Sequence, residues 1–417
     1  VRLHRRLTSI HLALNLATNR WSPHMSQHSV VIIDGARTPM GGLLGALAAV
    51  PAPELAATAI AATLERTGIA PADIDEVFMG CVLPAALKQC PARQAAIGAG
   101  IPASTGAVTV NKACGSGMQA AIFGYDSIVA GTNTTVIAGG MESMSRAPHM
   151  LPGARGGIGS GNKSVCDHMF IDGLEDAYTG RAMGSFAQET ADQRGITREQ
   201  MDAFAIESLT RAKRAIDDGA LKAEIAPVTV KNRKGEIVVA EDEQPHKAVI
   251  EKIPKLRPAF AKEGTITAAN ASSISDGASA LLLMSESQAK AQNLQPKAQM
   301  VAHARHSQEP GEFTSAPIGA IRSLLDKTGW TVDDVDLFEI NEAFAMVTML
   351  TMTDLGLDHD KVNVNGGACA QGHPIGSTGS RIIVTLMYAL EQRGKGRGIA
   401  ALCIGGGEAT AVAIELI

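Results

Sequence analysis

Three short segments recur in the same order in the two parts of this 417-residue chain. Gly68, followed five residues on by Asp73-Ile74-Asp75, returns as Gly329 with Asp334-Val335-Asp336. Val108-Thr109-Val110-Asn111 returns as Val362-Asn363-Val364-Asn365, and Gly139-Gly140-Met141-Glu142 as Gly405-Gly406-Gly407-Glu408. One such match arises by chance, but three in sequence point to an internal duplication. Duplication narrows the fold sharply, because it predicts two equivalent turns facing each other across a single site.

The segments between the matches alternate in period, as a layered α/β fold requires. Over 53–67 the apolar positions fall at helical spacing, Gly68-Ile69-Ala70-Pro71 breaks the helix, and 75–82 reads as a strand. Aromatic residues are 3% of the chain whereas glycines number 43, about a tenth of it, which suits closely packed backbone and tight turns. The stretch 146–163 is full of Gly and Pro breakers and has no apolar period, so it reads as a surface excursion. An inserted loop domain is accordingly expected at 145–267, with 28–144 plus 268–294 as one core half and 295–417 as the other.

Composition excludes several classes. Hydrophobic residues at 45% and charged ones at 19% supply a large core and rule out a disordered chain. A net charge of −5 gives no global attraction to nucleic acid or anionic membrane, and no apolar run approaches the ~18 residues of a membrane span. The six cysteines are scattered without a C-x-x-C pair, which argues for a reduced compartment and against structural zinc. Residues 1–24 hold four Arg and no acid ahead of Met25. We read them as an extension upstream of the true start, hence a cytoplasmic protein; the alternative is a transit peptide and the mitochondrial matrix.

Each V-x-V-N segment is expected to be a strand feeding a helix through a Gly-containing turn. Strand carboxyl ends and helix N-termini both present backbone N–H groups, so the two turns should wall one site. The first turn, Asn111-Lys112-Ala113-Cys114-Gly115-Ser116-Gly117, offers Cys114 as a nucleophile. There the helix dipole would favour thiolate, and Gly115 and Gly117 would let a substrate carbonyl approach the backbone. The plain alternative is a small buried hydrophobe. The second turn, Gly366 to Gly376, delivers His373 as the base for that thiol, or else an ordinary hydrogen-bonded loop histidine. Cys369 beside it matches no role and reads as packing. Cys403 ends a buried-looking strand before Gly405-Gly406-Gly407, where a second thiol could move a proton at carbon and the N–H groups around Gly405 could receive an oxyanion. A structural strand cysteine is the rival reading. Asn341, in Asn341-Glu342-Ala343-Phe344-Ala345, can cap a helix, hold an oxygen at the reacting centre, or do both.

Taken together, Asn-Lys-x-Cys-Gly-Ser-Gly, Asn-Glu-Ala-Phe-Ala, Asn-Gly-Gly-x-x-x-x-Gly-His-Pro-x-Gly and Cys-x-Gly-Gly-Gly resemble the thiolase family, in order, from Val31 to the C-terminus. The resemblance implies a duplicated five-layered αβαβα core with an inserted loop domain. It further implies that Cys114 takes an acyl group from acyl-CoA, that His373 activates it, and that Cys403 moves the α-proton. Asn341 with His373 would form one oxyanion hole, and the N–H groups of Cys114 and Gly405 the other. Phe260, Ala268, Ala269 and Ser272 would line the pantetheine path, with Leu174, Met183, Phe313, Ala343 and Phe344 at further lining positions.

The expected reaction is reversible condensation of two acetyl-CoA to acetoacetyl-CoA and CoA. Coenzyme A would be substrate and product, with no other cofactor and no metal. A homotetramer built on dimers is the expected assembly. A broader 3-ketoacyl-CoA thiolase is the alternative, and a non-catalytic acyl-CoA or sterol carrier a more distant one. Three departures bear on chain length: Ala182 where biosynthetic members carry His, Phe313 where many bacterial members have Met, and Ala368-Cys369-Ala370-Gln371 for Ala-Ile-Ala-Leu.

Overall fold

The computed structural model describes residues 29–232 and 235–417; the leader at 1–24 lies outside them. Five strands belong to the first half: β1 (Val30–Arg37), β2 (Glu76–Gly80), β3 (Gly106–Val110), β4 (Thr135–Ser143) and β5 (Ser275–Ser285). Four belong to the second: β6 (Ala298–Ser307), β7 (Leu337–Ile340), β8 (Arg397–Ile404) and β9 (Glu408–Leu416). All nine lie in one sheet in the order β7-β8-β9-β6-β1-β5-β4-β2-β3, with the short Gly41–Gly42 strand on β5 as a tenth.

The halves share one wiring. In the first, β2 is parallel to β3 and β4, and β5 is antiparallel to β4 and β1. In the second, β7 is parallel to β8, and β9 is antiparallel to β8 and β6. They meet edge to edge where Val31 and Ile32 pair with Gln299 and Ala298.

Of the three sequence matches, the first is structural. Gly68 and Gly329 both cap helices with left-handed φ of 68° and 70°, and Asp75 and Asp336 both donate their N–H to the first residue of the strand alongside, Thr135 of β4 and Arg397 of β8. The other two need correction. Met79 pairs with Gly139 as Ile340 pairs with Ala401, so Gly139 to Glu142 correspond to Ala401 to Ile404 inside a strand. The Gly405–Gly407 run is the turn that follows, and Met141 stands where Cys403 stands. The Val362–Asn365 segment, expected as a strand, makes a single parallel bridge to Phe338. Its Asn363 has φ 49°, and the Asn363 amide side chain bonds both the N–H and the carbonyl of Ile340 at 2.8 Å. A side chain there takes the bonds a strand backbone would have made.

Helices α1 (Ala52–Thr67) and α2 (Pro91–Gly98) cover the outer face of the first half. Helix α3 (Ser116–Val129) follows the Cys114 turn, and α4 (Met183–Gln193) and α5 (Arg198–Asp217) lie in the inserted region. Helices α6 (Ala316–Thr328) and α7 (Ala345–Leu355) flank the second half, and α8 (Thr378–Arg393) follows the His373 turn. Helices α3 and α8 pack on each other between the two halves of the sheet, completing five layers. Every residue of α8 from Thr378 to Leu390 is buried, as a helix covered on all sides must be.

The inserted region is anchored by charge as well as packing. Arg37, buried at the end of β1, bonds Glu224 at 2.5 Å and both oxygens of Asp242 at 2.7 and 2.9 Å. Removing Arg37 would leave two buried carboxylates without their cation. The excursion at 146–163 holds only the two-residue strand His149–Met150 and one 3₁₀ turn.

Candidate active site

The Cys114 turn is held in an uncommon shape. Ala113 has φ 42°, a region non-glycine residues rarely occupy unless their surroundings over-determine it. Asn111 Oδ1 accepts the Ala113 N–H at 3.0 Å, while Ser116 Oγ accepts the Lys112 N–H at 2.8 Å and donates to the Ala113 carbonyl at 2.7 Å. The half-buried Cys114 lies beside the β8–β9 turn, where Ile404 packs against Gly115, and the backbone N–H groups of Gly405 and of Cys114 itself favour negative charge on its sulfur. Desolvation nevertheless outweighs these donors and raises the Cys114 thiol above its usual value. The sequence had suggested a thiolate favoured by the helix dipole; burial reverses that, and the resting sulfur is protonated.

Glycine has another use here than expected. A Cβ on Gly115 would collide with the Ile404 side chain, and one on Gly117 would lie 2.7 Å from Ser380 Oγ and 3.0 Å from the Gly376 carbonyl. These glycines therefore let the turn seat against β8 and α8. Gly80 serves the same end, since a Cβ there would stand 2.5 Å from the Gly376 carbonyl. The two catalytic-type turns interlock through bare backbone.

His373 is buried, and its ring is oriented by Thr378, the first residue of α8, whose Oγ1 is 2.6 Å from Nδ1. Thr378 spends its one proton on the Pro374 carbonyl at 3.0 Å, so it accepts from His373 Nδ1–H and leaves Nε2 bare. Asn341 Nδ2 stands 3.5 Å from that Nε2, and Asn341 Oδ1 is buried without a protein partner among the described residues. Burial first, and the charge of Arg381 second, push the His373 pKa down to about 3, so the ring is a neutral base throughout the physiological range.

Cys403 is the penultimate residue of β8, paired with Ala409 of β9. Burial raises its thiol well above the usual value, and the neighbouring Cys114 raises it further. Ile404, the residue after Cys403, lies against Gly115, the residue after Cys114, so the two sulfurs sit on abutting segments. Cys114 also packs beside Ile375, two residues past His373. Cys114, His373, Asn341, Cys403 and Gly405 are thus brought together from four separate turns.

The lining positions divide into three groups. Phe313, Ala343, Phe344 and Met183 pack in one cluster with Cys403, with the Phe313 and Phe344 rings 6.4 Å apart. Phe260 is 37% exposed and sits 6.1 Å from Phe344, at the outer end of that cluster. Ala268 and Ala269 line a cavity of about 270 Å³ with Ser273, Cys369, Ala370 and residues of α5. Ser272 gives its backbone N–H to the Ala343 carbonyl at 3.0 Å, and the serine on the cavity wall is its neighbour Ser273. Leu174 lies apart from these, in the cluster of Val82, Leu83 and Ile375 against Cys114. Cys369, read as packing, also donates its N–H to Glu342 at 3.0 Å.

Models of the thiolase N-terminal and C-terminal domains match residues 30–287 and 294–416. The chain belongs to the thiolase family. A probable acetyl-CoA acetyltransferase of Dictyostelium discoideum is 47% identical over 93% of this chain and 94% of its own. An acetyl-CoA acetyltransferase of Chromobacterium violaceum is 48% identical over 93% of this chain and 99% of its own. Among solved structures, a thiolase of Ascaris suum in complex with coenzyme A has a TM-score of 0.89 at 41% identity, covering 93% of this chain and 100% of that one. The acetyl-CoA acetyltransferase of Bacillus anthracis has a TM-score of 0.91 at 40% identity, covering 94% and 99%.

Two supports of this thiolase site carried no signal in the sequence. Thr378 is an unremarkable helix-start threonine until the ring of His373 is placed against it. Glu142 is buried in β4 and accepts N–H bonds from Val82 at 2.9 Å, Leu83 at 3.1 Å and, across the duplication, Gly376 at 3.0 Å. Burial pushes its pKa up to about 7 against the pull of those three donors. It ties the His373 turn to the first half of the sheet.

Proposed function

We propose that this thiolase is an acetyl-CoA C-acetyltransferase, interconverting two acetyl-CoA with acetoacetyl-CoA and CoA. The observation that carries the reading is the placement of His373, with Nδ1 2.6 Å from Thr378 Oγ1 and Nε2 free to take a proton 3.5 Å from Asn341, together with a Cys114 turn that abuts the end of the Cys403 strand where Ile404 lies against Gly115. His373 Nε2 takes the Cys114 proton as sulfur attacks the thioester carbonyl. The oxyanion is received by preorganised donors, the C–S bond to CoA breaks, and CoA leaves as a thiol with the proton from the imidazolium. His373 Nε2, free again, then takes the Cys403 proton, and the Cys403 thiolate removes an α-proton from a second acetyl-CoA. The resulting enolate attacks the acetyl-cysteine, a carbon–carbon bond forms, the C–S bond to Cys114 breaks, and the departing Cys114 sulfur takes the proton back from the imidazolium. The tetrahedral oxyanion and the thioester enolate need separate donor sets; the N–H groups of Cys114 and Gly405 suit the first, and Asn341 with protonated His373 the second. Coenzyme A is substrate and product, and no other cofactor enters.

A broader 3-ketoacyl-CoA thiolase would use the same residues. The shorter chain is supported by the apolar side chains packed around Cys403, where Met183 sulfur stands 3.2 Å from the place a Gly405 Cβ would occupy and the Phe313 and Phe344 rings are 6.4 Å apart. Side chains packed this closely would discriminate by steric misfit. Acetoacetyl-CoA should therefore be cleaved with a kcat/KM at least about tenfold above that for 3-ketooctanoyl-CoA. Parallel thiolysis assays decide it, and a preference for the longer chain would replace the acetyl-specific reading.

A further inference from the structure

We infer that Lys112 and Glu408 are positioning residues, an ion pair that sets the gap between the Cys114 turn and the Gly405 turn. Lys112 Nζ lies 2.6 Å from Glu408 Oε2, joining residues 296 apart in sequence, and Ser307 Oγ donates to the other carboxylate oxygen at 3.2 Å. Lys112 is two residues before the nucleophile. Glu408 opens β9 and pairs with Ile404, so it forms the fixed base of the glycine turn.

The need for such a tie follows from the turns themselves. On one side, the bonds from Asn111 and Ser116 hold the internal shape of the strained Ala113 turn but do not reach across the gap. On the other, the Gly406 and Gly407 turn, with φ of 94° and 86°, is pinned by the Gln308 N–H to the Gly407 carbonyl at 2.8 Å, a bond that likewise does not reach across the gap. Three approaches span the gap: the Cys114 sulfur towards the Gly405 N–H that acts on it, Ile404 against Gly115, and the ion pair. The first is the interaction to be positioned and the second is apolar and non-directional. The ion pair alone supplies direction and length. Its side chains are 20% and 35% exposed, so its contribution to global stability is small by the usual measure of such pairs. Its effect on the reaction is larger, because donors to a developing oxyanion lose their advantage when displaced by about 1 Å.

The inference rests on the acetyl-transfer reading, and the test separates the two. Single-turnover acetylation by acetyl-CoA is followed by mass spectrometry in the wild type, Lys112→Met, Glu408→Gln and the reversed pair Lys112→Glu/Glu408→Lys, with KM and Tm measured alongside. Each single variant should be acetylated about tenfold more slowly, with KM for acetyl-CoA within about twofold of wild type, as expected for misplaced donors. The reversed pair should return to within about threefold of wild type. A structural role alone would move Tm and leave this rate split unchanged. Single variants within about threefold of wild type, a loss carried in KM alone, or a reversed pair no faster than the slower single variant would overturn the clamp. If a single variant fails to fold, the reversed pair still decides. A wild type that takes up no acetyl group would instead overturn the acetyl-transfer reading.

Discussion

Cys403→Ala should yield a protein that still takes an acetyl group from acetyl-CoA but forms acetoacetyl-CoA at least about 10³-fold more slowly, the scale of a lost general base. The reasoning separates the two sulfurs by environment. Cys403 lies among Phe313, Phe344, Ala343 and Met183, the cluster that would surround the acyl end of a substrate. Its thiol is held protonated by burial and then by Cys114. Acetylation of Cys114 removes the possibility of negative charge on that neighbour, so the second of these obstacles disappears when the α-proton must be taken. Cys403 thus reaches the thiolate form, the one that can take a proton, more readily after the first half-reaction than before it. The variant should accumulate acetyl-enzyme, visible as one added acetyl by intact mass while product release is assayed. A variant that condenses at the wild-type rate, or that cannot be acetylated, contradicts this division of labour.

His373→Gln should slow acetylation of Cys114 by about 10²- to 10⁴-fold at neutral pH and change the shape of its pH dependence. In the wild type the imidazole is neutral above about pH 3 and the thiol stays protonated to a raised pKa. The reactive combination, neutral base with neutral thiol, is therefore fully populated between those limits. Its rate should be flat from about pH 6 to 8.5. Without the imidazole, only the spontaneously formed thiolate reacts, and its fraction rises tenfold per pH unit below the thiol pKa. The variant's rate should climb with that slope. Rapid-quench acetylation across pH reads both curves; a flat profile in His373→Gln would show that another group takes the thiol proton.

How much of this was legible beforehand depends on the kind of interaction. The glycine caps Gly68 and Gly329 and the strand starts Asp75 and Asp336 could be paired by eye, because local backbone demands leave local residue signatures. The strand at Val362 was misjudged because Asn363 substitutes its own amide for strand bonds, a competition that hydrophobic alternation does not register. The Gly139 and Gly405 runs matched in letters but not in register, since glycine is used inside β4 for close approach and after β8 for a turn. At the site, the reactive side chains stood out through their motifs. Their protonation did not: desolvation comes from residues of both halves folding over Cys114 and His373, and it outweighed the helix-end argument available from sequence. Thr378 and Glu142 act through single hydrogen bonds to groups 5 and up to 234 residues away, with no periodicity to announce them.

In the proposed reaction Cys114 carries the acyl group, in a site completed by His373 and Cys403. Wild-type protein and Cys114→Ala mixed with acetyl-CoA, quenched and mapped peptide by peptide in the mass spectrometer, test it most directly. The account predicts one acetyl group in the wild type, on the peptide containing Cys114, and none in the variant. An adduct that persists in Cys114→Ala, or that maps to Cys403 or Cys369 in the wild type, would contradict it.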